Sequence, residues 1–237
     1  MRIDILTLFP EMLKATLATS IVSRAQDGGY VEIHVHDIRN WADNKHRKVD
    51  DRPFGGGPGM VLMCQPLHDA VQEVERQLNS SPVRIHFTPQ GEVLKQERVE
   101  QLATEKHLLL IAGHYEGIDE RVIATLDPLE LSIGDYVLSG GEIPALLLVD
   151  AVVRLLPGVL GHSDSANQDS FSVRDNKGNR LLDCPHYTRP RVWNEMETPE
   201  VLLSGDHSAV DRWREEQMKQ RTKVRRPDLL DNEEVDP

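Results

Sequence analysis

Cysteine is scarce in this chain: two in 237 residues, Cys64 and Cys184, with no C-x-x-C spacing. That excludes a disulfide-stapled secreted scaffold, argues against a zinc site, and makes a reducing cytoplasm the expected compartment. An uninterrupted apolar run is also missing. The most apolar stretch, Ile143 to Leu160, is broken by Asp150, Arg154 and Pro157, so it reads as a buried helix and not as a membrane span. The opening Met1 to Pro10 carries Asp4 inside a run too short for a signal-peptide core and reads as a first strand. Basic residues are outnumbered 27 to 39, for a net charge of -12, which by itself disfavours a nucleic-acid partner. The deficit is uneven, however. Arg212 to Arg226 holds seven basic residues (Arg212, Arg214, Lys219, Arg221, Lys223, Arg225, Arg226) against Glu215 and Glu216, before an acidic tail from Asp228 to Asp236. Taken alone, that basic run is equally a solvated helix face. No internal repeat or low-complexity tract is present.

What is present is a globular composition, 39% hydrophobic and 28% charged. The length suggests one or two domains that bury roughly 70 to 75% of the unfolded chain's surface. Residues 1 to 155 alternate strand and helix patterns. Strands are expected at Arg2 to Leu8, Tyr30 to Ile38, Val83 to Phe87, His107 to Ala112 and Leu129 to Ile133. Helices are expected at Glu11 to Arg24, Gln65 to Leu78, Leu94 to Ala103 and Asp119 to Leu126. The layout is α/β with a largely parallel sheet. Gly161 to Asn179 is small, polar and aperiodic and reads as a flexible linker. Beyond it, Pro199 to Leu203 and Ser208 to Gln220 look helical, with Asp206 or Ser208 as N-cap, so residues 180 to 237 form a small helical domain.

Four glycine- and proline-rich segments stand where strands should end, the usual ligand sites of an α/β sheet. They are Asp50 to Met60, Thr88 to Gly91, Gly113 to Arg121 and Ser132 to Glu142. None is a phosphate cradle by spacing, because the first lacks both a G-x-G-x-x-G register and a G-K-[ST] ending. Taken singly, they are tight turns.

Together and in this order they resemble the bacterial tRNA (guanine-N1)-methyltransferase family, a SPOUT-class family of knotted methyltransferases. The resemblance extends to Asp4 to Pro10, Leu181 to Pro190 and Pro199 to Gly205, and so covers nearly the whole chain. It implies a deep trefoil knot, which periodicity does not show and which is rare among folds. It also implies a homodimer with active sites at the subunit interface, and methyl transfer from S-adenosylmethionine to N1 of guanosine 37, beside the anticodon of tRNA, in support of reading-frame maintenance. Residues 1 to 160 would then be the catalytic domain, 161 to 179 the linker and 180 to 237 the tRNA-binding domain. By the same resemblance the donor pocket is lined by Thr88, Pro89, Gly113, Tyr115, Gly117, Ser132, Ile133, Gly134, Asp135, Tyr136, Val137, Leu138, Gly140, Gly141 and Pro144. The sequence departs from the family at His86 and Phe87, where tyrosine and leucine are usual. His114 occupies a position that varies.

A flat adenine and a sulfonium need an apolar slot with backbone donors and acceptors, which glycine turns expose; the plainer reading leaves Ile133 and Leu138 in the core. Glu116 would be stabilised beside a sulfonium or a bound magnesium, or else is a capping residue. Asp169, on composition alone a solvated linker residue, becomes by resemblance the base that removes the N1 proton. An aspartate with an ordinary pKa of about 3.9 is weak for that task. Something must therefore stabilise charge developing on O6, and the resemblance implies Arg154 for that role, the alternative being a helix-end cation. Asp50, Arg52, Gly59 and Ser165 are the expected RNA contacts. His34 and His36 share a strand face but are given no role, and no metal ligands are assigned. Two rivals stay open: a small-molecule enzyme that binds a nucleotide on the glycine turns, and a non-catalytic RNA-binding protein on the same fold.

Overall fold

The computed structural model describes residues 1–78, 81–160 and 168–230. Two compact units divide the chain, Met1–Gly161 and His162–Pro237. In the first the elements are β1 (Arg2–Thr7), α1 (Pro10–Leu17), α2 (Ser20–Asp27), β2 (Glu32–Asp37), β3 (Asp50–Asp51), β4 (Val61–Leu62), α3 (Cys64–Arg76), β5 (Val83–Val93), α4 (Gln96–Ala103), β6 (His107–Ile111), α5 (Glu120–Leu126), β7 (Leu129–Ser132) and α6 (Glu142–Val153). Five of the strands form one sheet in the order β2-β1-β6-β5-β7, and every neighbouring pair is parallel.

Period-two alternation sorts the central strands between two cores. Ile3 and Ile5 of β1 and Leu108 and Leu110 of β6 face one core, where α1, α2, α4 and α6 contribute Leu13, Val22, Leu102 and Leu148. Leu6 of β1 and Leu109 and Ile111 of β6 face the other, against Leu67 and Val71 of α3 and Val122 of α5. Each such side chain contributes roughly 1.5–3 kcal/mol by leaving water. A sheet covered on both faces is the architecture that parallel pairing requires.

The structure corrects several element boundaries. The helix expected over 11–24 is two helices, because Thr19 is extended and Ser20 has a φ of 56°. Carbonyls freed at the break find side-chain donors: Thr19 Oγ1 donates to Thr16 O at 2.8 Å and Gln26 Nε2 to Leu17 O at 2.9 Å. The strand expected to end at Phe87 runs to Val93, with its register against β7 shifting between Phe87 and Glu92. His36, given no role from the sequence, has Nε2 2.7 Å from Asp4 Oδ1.

In the second unit, β8 (Val192–Trp193) and β9 (Met196–Glu197) form a short antiparallel hairpin that precedes α7 (His207–Arg225). Asp206 caps α7 by accepting the Ala209 N–H at 3.1 Å. The helix expected to end at Gln220 carries on to Arg225, so the basic run lies on regular helix. Leu181, Cys184 and Met218 form a small core. Of the segment expected as a linker, residues 161–167, and with them Ser165, lie outside the described residues. Residues 168–179 are hydrogen-bonded into the second unit: the Phe171 N–H donates to Leu181 O at 2.7 Å, and the Asp183 N–H to Ser170 Oγ at 3.0 Å. Among the described residues no helix is long and apolar enough to cross a membrane.

Candidate active site

A cleft of about 350 Å³ opens where β5, β6 and β7 end, within the size range of small-molecule sites. Three turns form its wall and are tied to one another. The Gly141 N–H donates to Gly113 O at 2.7 Å, and His114 pairs with Gly140 in an isolated antiparallel bridge. The Leu94 N–H donates to Ser132 O at 2.8 Å, which carries the chain past the turn at Thr88–Gly91. A fourth segment, the glycine loop, is fastened to the second turn: the Glu116 N–H donates to Met60 O at 3.0 Å and the Leu62 N–H to Gly117 O at 2.9 Å. Asp119 ends that turn as the N-cap of α5 and is held well below the usual carboxylate range, chiefly by the Arg121 guanidinium.

Every residue expected to hold the donor lines this cleft except Asp135, which stands exposed between Gly134 and Tyr136. Glu116 lines it too, with its side chain against Gly59. Gly59 itself does not line the cleft but abuts Glu116, which does; Asp50 is paired with Leu62, whose N–H bonds the second turn at Gly117, and Arg52 is exposed. Tyr115 adopts a φ of 63°, a strained value for a non-glycine residue. His86 is buried in the same wall, with Nδ1 3.4 Å from Glu130 Oε1. Burial pushes its pKa down more than Glu130 raises it, so the ring is neutral at neutral pH.

Arg154 is not brought to this cleft by α6. Glu142 and Pro144, at the start of α6, belong to the cleft end of the unit, whereas Arg154 follows the last residue of the helix. Twelve residues at 1.5 Å each set it ~18 Å further along the axis. Asp169 lies in the second unit, half-buried, and its carbonyl accepts the Ser172 N–H at 3.1 Å.

Two groups escaped the sequence reading. Glu142 is buried at 3% exposure, and its Oε1 accepts a hydrogen bond from Thr7 Oγ1 at 2.8 Å. An acid at the first position of a largely apolar helix was the available signal. Cys184, read as isolated, lies beside Asp183 and His186, the potential ligand atoms of all three being within 4.8 Å of one another. The Asp183 carboxylate is engaged there, by His186 Nε2 at 2.8 Å and by the Cys184 N–H at 2.6 Å.

The chain matches the family model for tRNA (Guanine-1)-methyltransferase TrmD over residues 1–232. A relative from Moorella thermoacetica is 52% identical over 238 residues, spanning 100% of this chain and 93% of its own. One from Bacillus licheniformis is 50% identical, with 98% of this chain and 93% of the relative covered. A third, from Chloroflexus aurantiacus, is 53% identical, with 97% and 88% covered. All three carry the name tRNA (guanine-N(1)-)-methyltransferase. At such identity over the full length, with the cleft assembled from the very turns that carry the resemblance, the chain belongs to the tRNA (guanine-N1)-methyltransferase family of enzymes.

Proposed function

We propose that the protein transfers a methyl group from S-adenosylmethionine to N1 of the guanosine at position 37 of tRNA, and that it does so as a homodimer. The observation that carries this reading is the cleft at the carboxyl ends of β5, β6 and β7, walled by glycine turns with Ile133, Leu138 and Pro144 as its apolar side. That wall suits a flat base beside exposed backbone donors and acceptors, and Glu116 offers a carboxylate to a cationic donor. When bound, S-adenosylmethionine supplies an electrophilic methyl carbon on a positively charged sulfur.

The remaining chemistry belongs to the chain. Asp169 accepts the N1 proton, and the Arg154 guanidinium offsets charge that gathers on O6 as the proton leaves. The position of Arg154 supports a site shared between copies. On α6, Ile143 and Leu147 are 50% and 42% exposed, and with Asp150 and Arg154 they form a stripe at i, i+4, i+7 and i+11. A second copy covering that stripe removes two apolar side chains from water and carries Arg154 toward the other copy's cleft. The basic residues of α7 suit tRNA phosphates, so residues 180 to 237 take the tRNA-binding role and 1 to 160 the donor-binding role. Glu116 belongs to no cluster of metal-ligating side chains among the described residues.

The test is methyl incorporation into tRNA transcripts with guanosine or inosine at position 37 and with adenosine there, alongside Asp169→Asn. Product carrying N1-methylguanine at position 37, and a single-turnover rate at least 100-fold lower for Asp169→Asn with donor affinity unchanged, are expected. Donor binding without methyl transfer to tRNA would refute the reading.

A further inference from the structure

We propose that His114, held in place by the buried carboxylate of Glu142, receives the carboxylate end of the methyl donor and selects for it. The inference rests on the donor reading above and adds a specificity residue to it.

S-adenosylmethionine carries two cationic groups, the sulfonium and the α-ammonium, and one anionic group, the α-carboxylate. Among the described residues lining the cleft, only His86 and His114 have an ionisable nitrogen. His86 is unsuited to an anion, since burial keeps it neutral and its Nδ1 faces Glu130. His114 is arranged differently. Its Nδ1 is buried without a hydrogen bond and lies 3.7 Å from Glu142 Oε2, and Nε2 has no hydrogen-bond partner among the described residues. The ring is packed against Phe9, centroids 4.8 Å apart, and Tyr115 meets it edge-on at 5.0 Å.

Glu142 explains how the ring is positioned. A buried carboxylate is costly unless it is paired and hydrogen-bonded. Thr7 satisfies one of its oxygens, the first turn of α6 adds the positive end of a helix dipole, and the other oxygen faces His114. Gly140 makes the approach possible, because a Cβ there would collide with both Glu142 Oε2 and His114 Nδ1. With Nδ1 on the Glu142 side, Nε2 is the nitrogen that can donate an N–H to an incoming carboxylate, a charge-assisted bond in a half-enclosed cleft. The other charged groups nearby are Glu116, two residues along the same turn, and Arg39, whose guanidinium lies 5.9 Å from the Phe9 centroid. Glu116 answers to the cationic groups of the donor and His114 to the anionic one.

The experiment is calorimetric titration of the full-length protein with S-adenosylmethionine and with decarboxylated S-adenosylmethionine, which keeps the adenosine, sulfonium and amine. The wild type should bind the first about 10- to 100-fold more tightly, the range for one charged hydrogen bond. In His114→Phe, which keeps an aromatic ring against Phe9, that ratio should collapse toward one through loss of S-adenosylmethionine affinity alone. His114→Arg should restore a preference for the carboxylate, and Glu142→Gln should reduce it while thermal unfolding confirms a folded protein. An unchanged ratio in a folded His114→Phe, or equal affinities in the wild type, would overturn the inference and leave the donor reading intact. Failure of the wild type to bind either compound would instead overturn the donor reading, and this inference with it.

Discussion

Replacing Gly141 with alanine separates two accounts of why the cleft turns are glycine-rich. Gly141 has φ -83° and ψ 0°, values any residue adopts, so backbone freedom gives no reason for glycine there. On that ground alone Gly141→Ala should be neutral or stabilising by about 0.4–1 kcal/mol, because alanine restricts the unfolded chain. The contacts point the other way. A Cβ at Gly141 would lie 2.7 Å from Ala112 Cα and 2.9 Å from Gly113 N. Non-bonded carbons rest ~3.5–4.0 Å apart, so the start of α6 must retreat by about 1 Å from the end of β6. Ala112 is fully buried and both neighbours are backbone atoms, so no flexible side chain can yield. Overpacking of this kind costs about 1–3 kcal/mol, and loss of the 2.7 Å bond from the Gly141 N–H to Gly113 O adds about 1 kcal/mol. A net destabilisation of about 2–3 kcal/mol is expected in urea unfolding, with weaker donor binding because Gly140 and Pro144 move too. A variant as stable as wild type, or more so, would refute close approach as the reason for glycine.

Asp4 supplies a pH test: it is 1% exposed and bonded by Arg2 Nε at 2.8 Å and His36 Nε2 at 2.7 Å. Burial pushes its carboxyl up, but the bonds from His36 and Arg2 together outweigh that and hold it below the ordinary value. A depressed carboxylate contributes stability that is fully present above the unfolded pKa of about 3.9 and is lost as pH falls toward the folded value. Asp4→Ala should cost about 3–5 kcal/mol at pH 7, with the gap from wild type narrowing below about pH 4 in chemical denaturation; a gap independent of pH would contradict the assignment. For the shared site, mixing inactive Arg154→Ala and Asp169→Asn proteins under subunit exchange tests where the two groups act. If they reach one site from different chains, heterodimers should recover one working site in two; absence of any recovery after confirmed exchange would rule out that arrangement.

Legibility followed the range of each interaction. The central strands were readable because Ile3, Ile5 and Leu6 alternate between two cores, a pattern local to the strand. The break between α1 and α2 was not, since neither glycine nor proline marks Thr19 and Ser20, and the carbonyls it frees are satisfied by Thr19 and by Gln26, nine residues from Leu17. Pro89 and Gly91 hid the second half of β5, because they look like a strand end and not a shift in register. Most of the cleft wall could be named, but only through the family resemblance that the turns carry together. Its charge arrangement could not: Thr7 and Glu142 are 135 positions apart, and His36 meets Asp4 only through parallel pairing of β1 with β2.

The distribution of charge within the first unit also bears on how the reaction is divided. The cleft wall contains one acid, Glu116, and two histidines, one of them neutral, which is a poor set for pulling a proton from a weakly acidic ring nitrogen. On the proposed reading the groups for that work are Arg154, which follows the last residue of α6, and Asp169, which belongs to the second unit. A cleft so built can hold a methyl donor without activating it toward water, because neither a base nor an oxyanion partner is supplied by its wall. On the proposed reading, transfer waits on a nucleic-acid substrate and a second copy that bring those groups together, and donor affinity and chemical rate become separable by mutation. On this argument substitutions along the exposed α6 stripe at Leu147 and Arg154 should lower the single-turnover rate while leaving donor affinity within about twofold, whereas substitutions in the Gly140–Pro144 turn change affinity first.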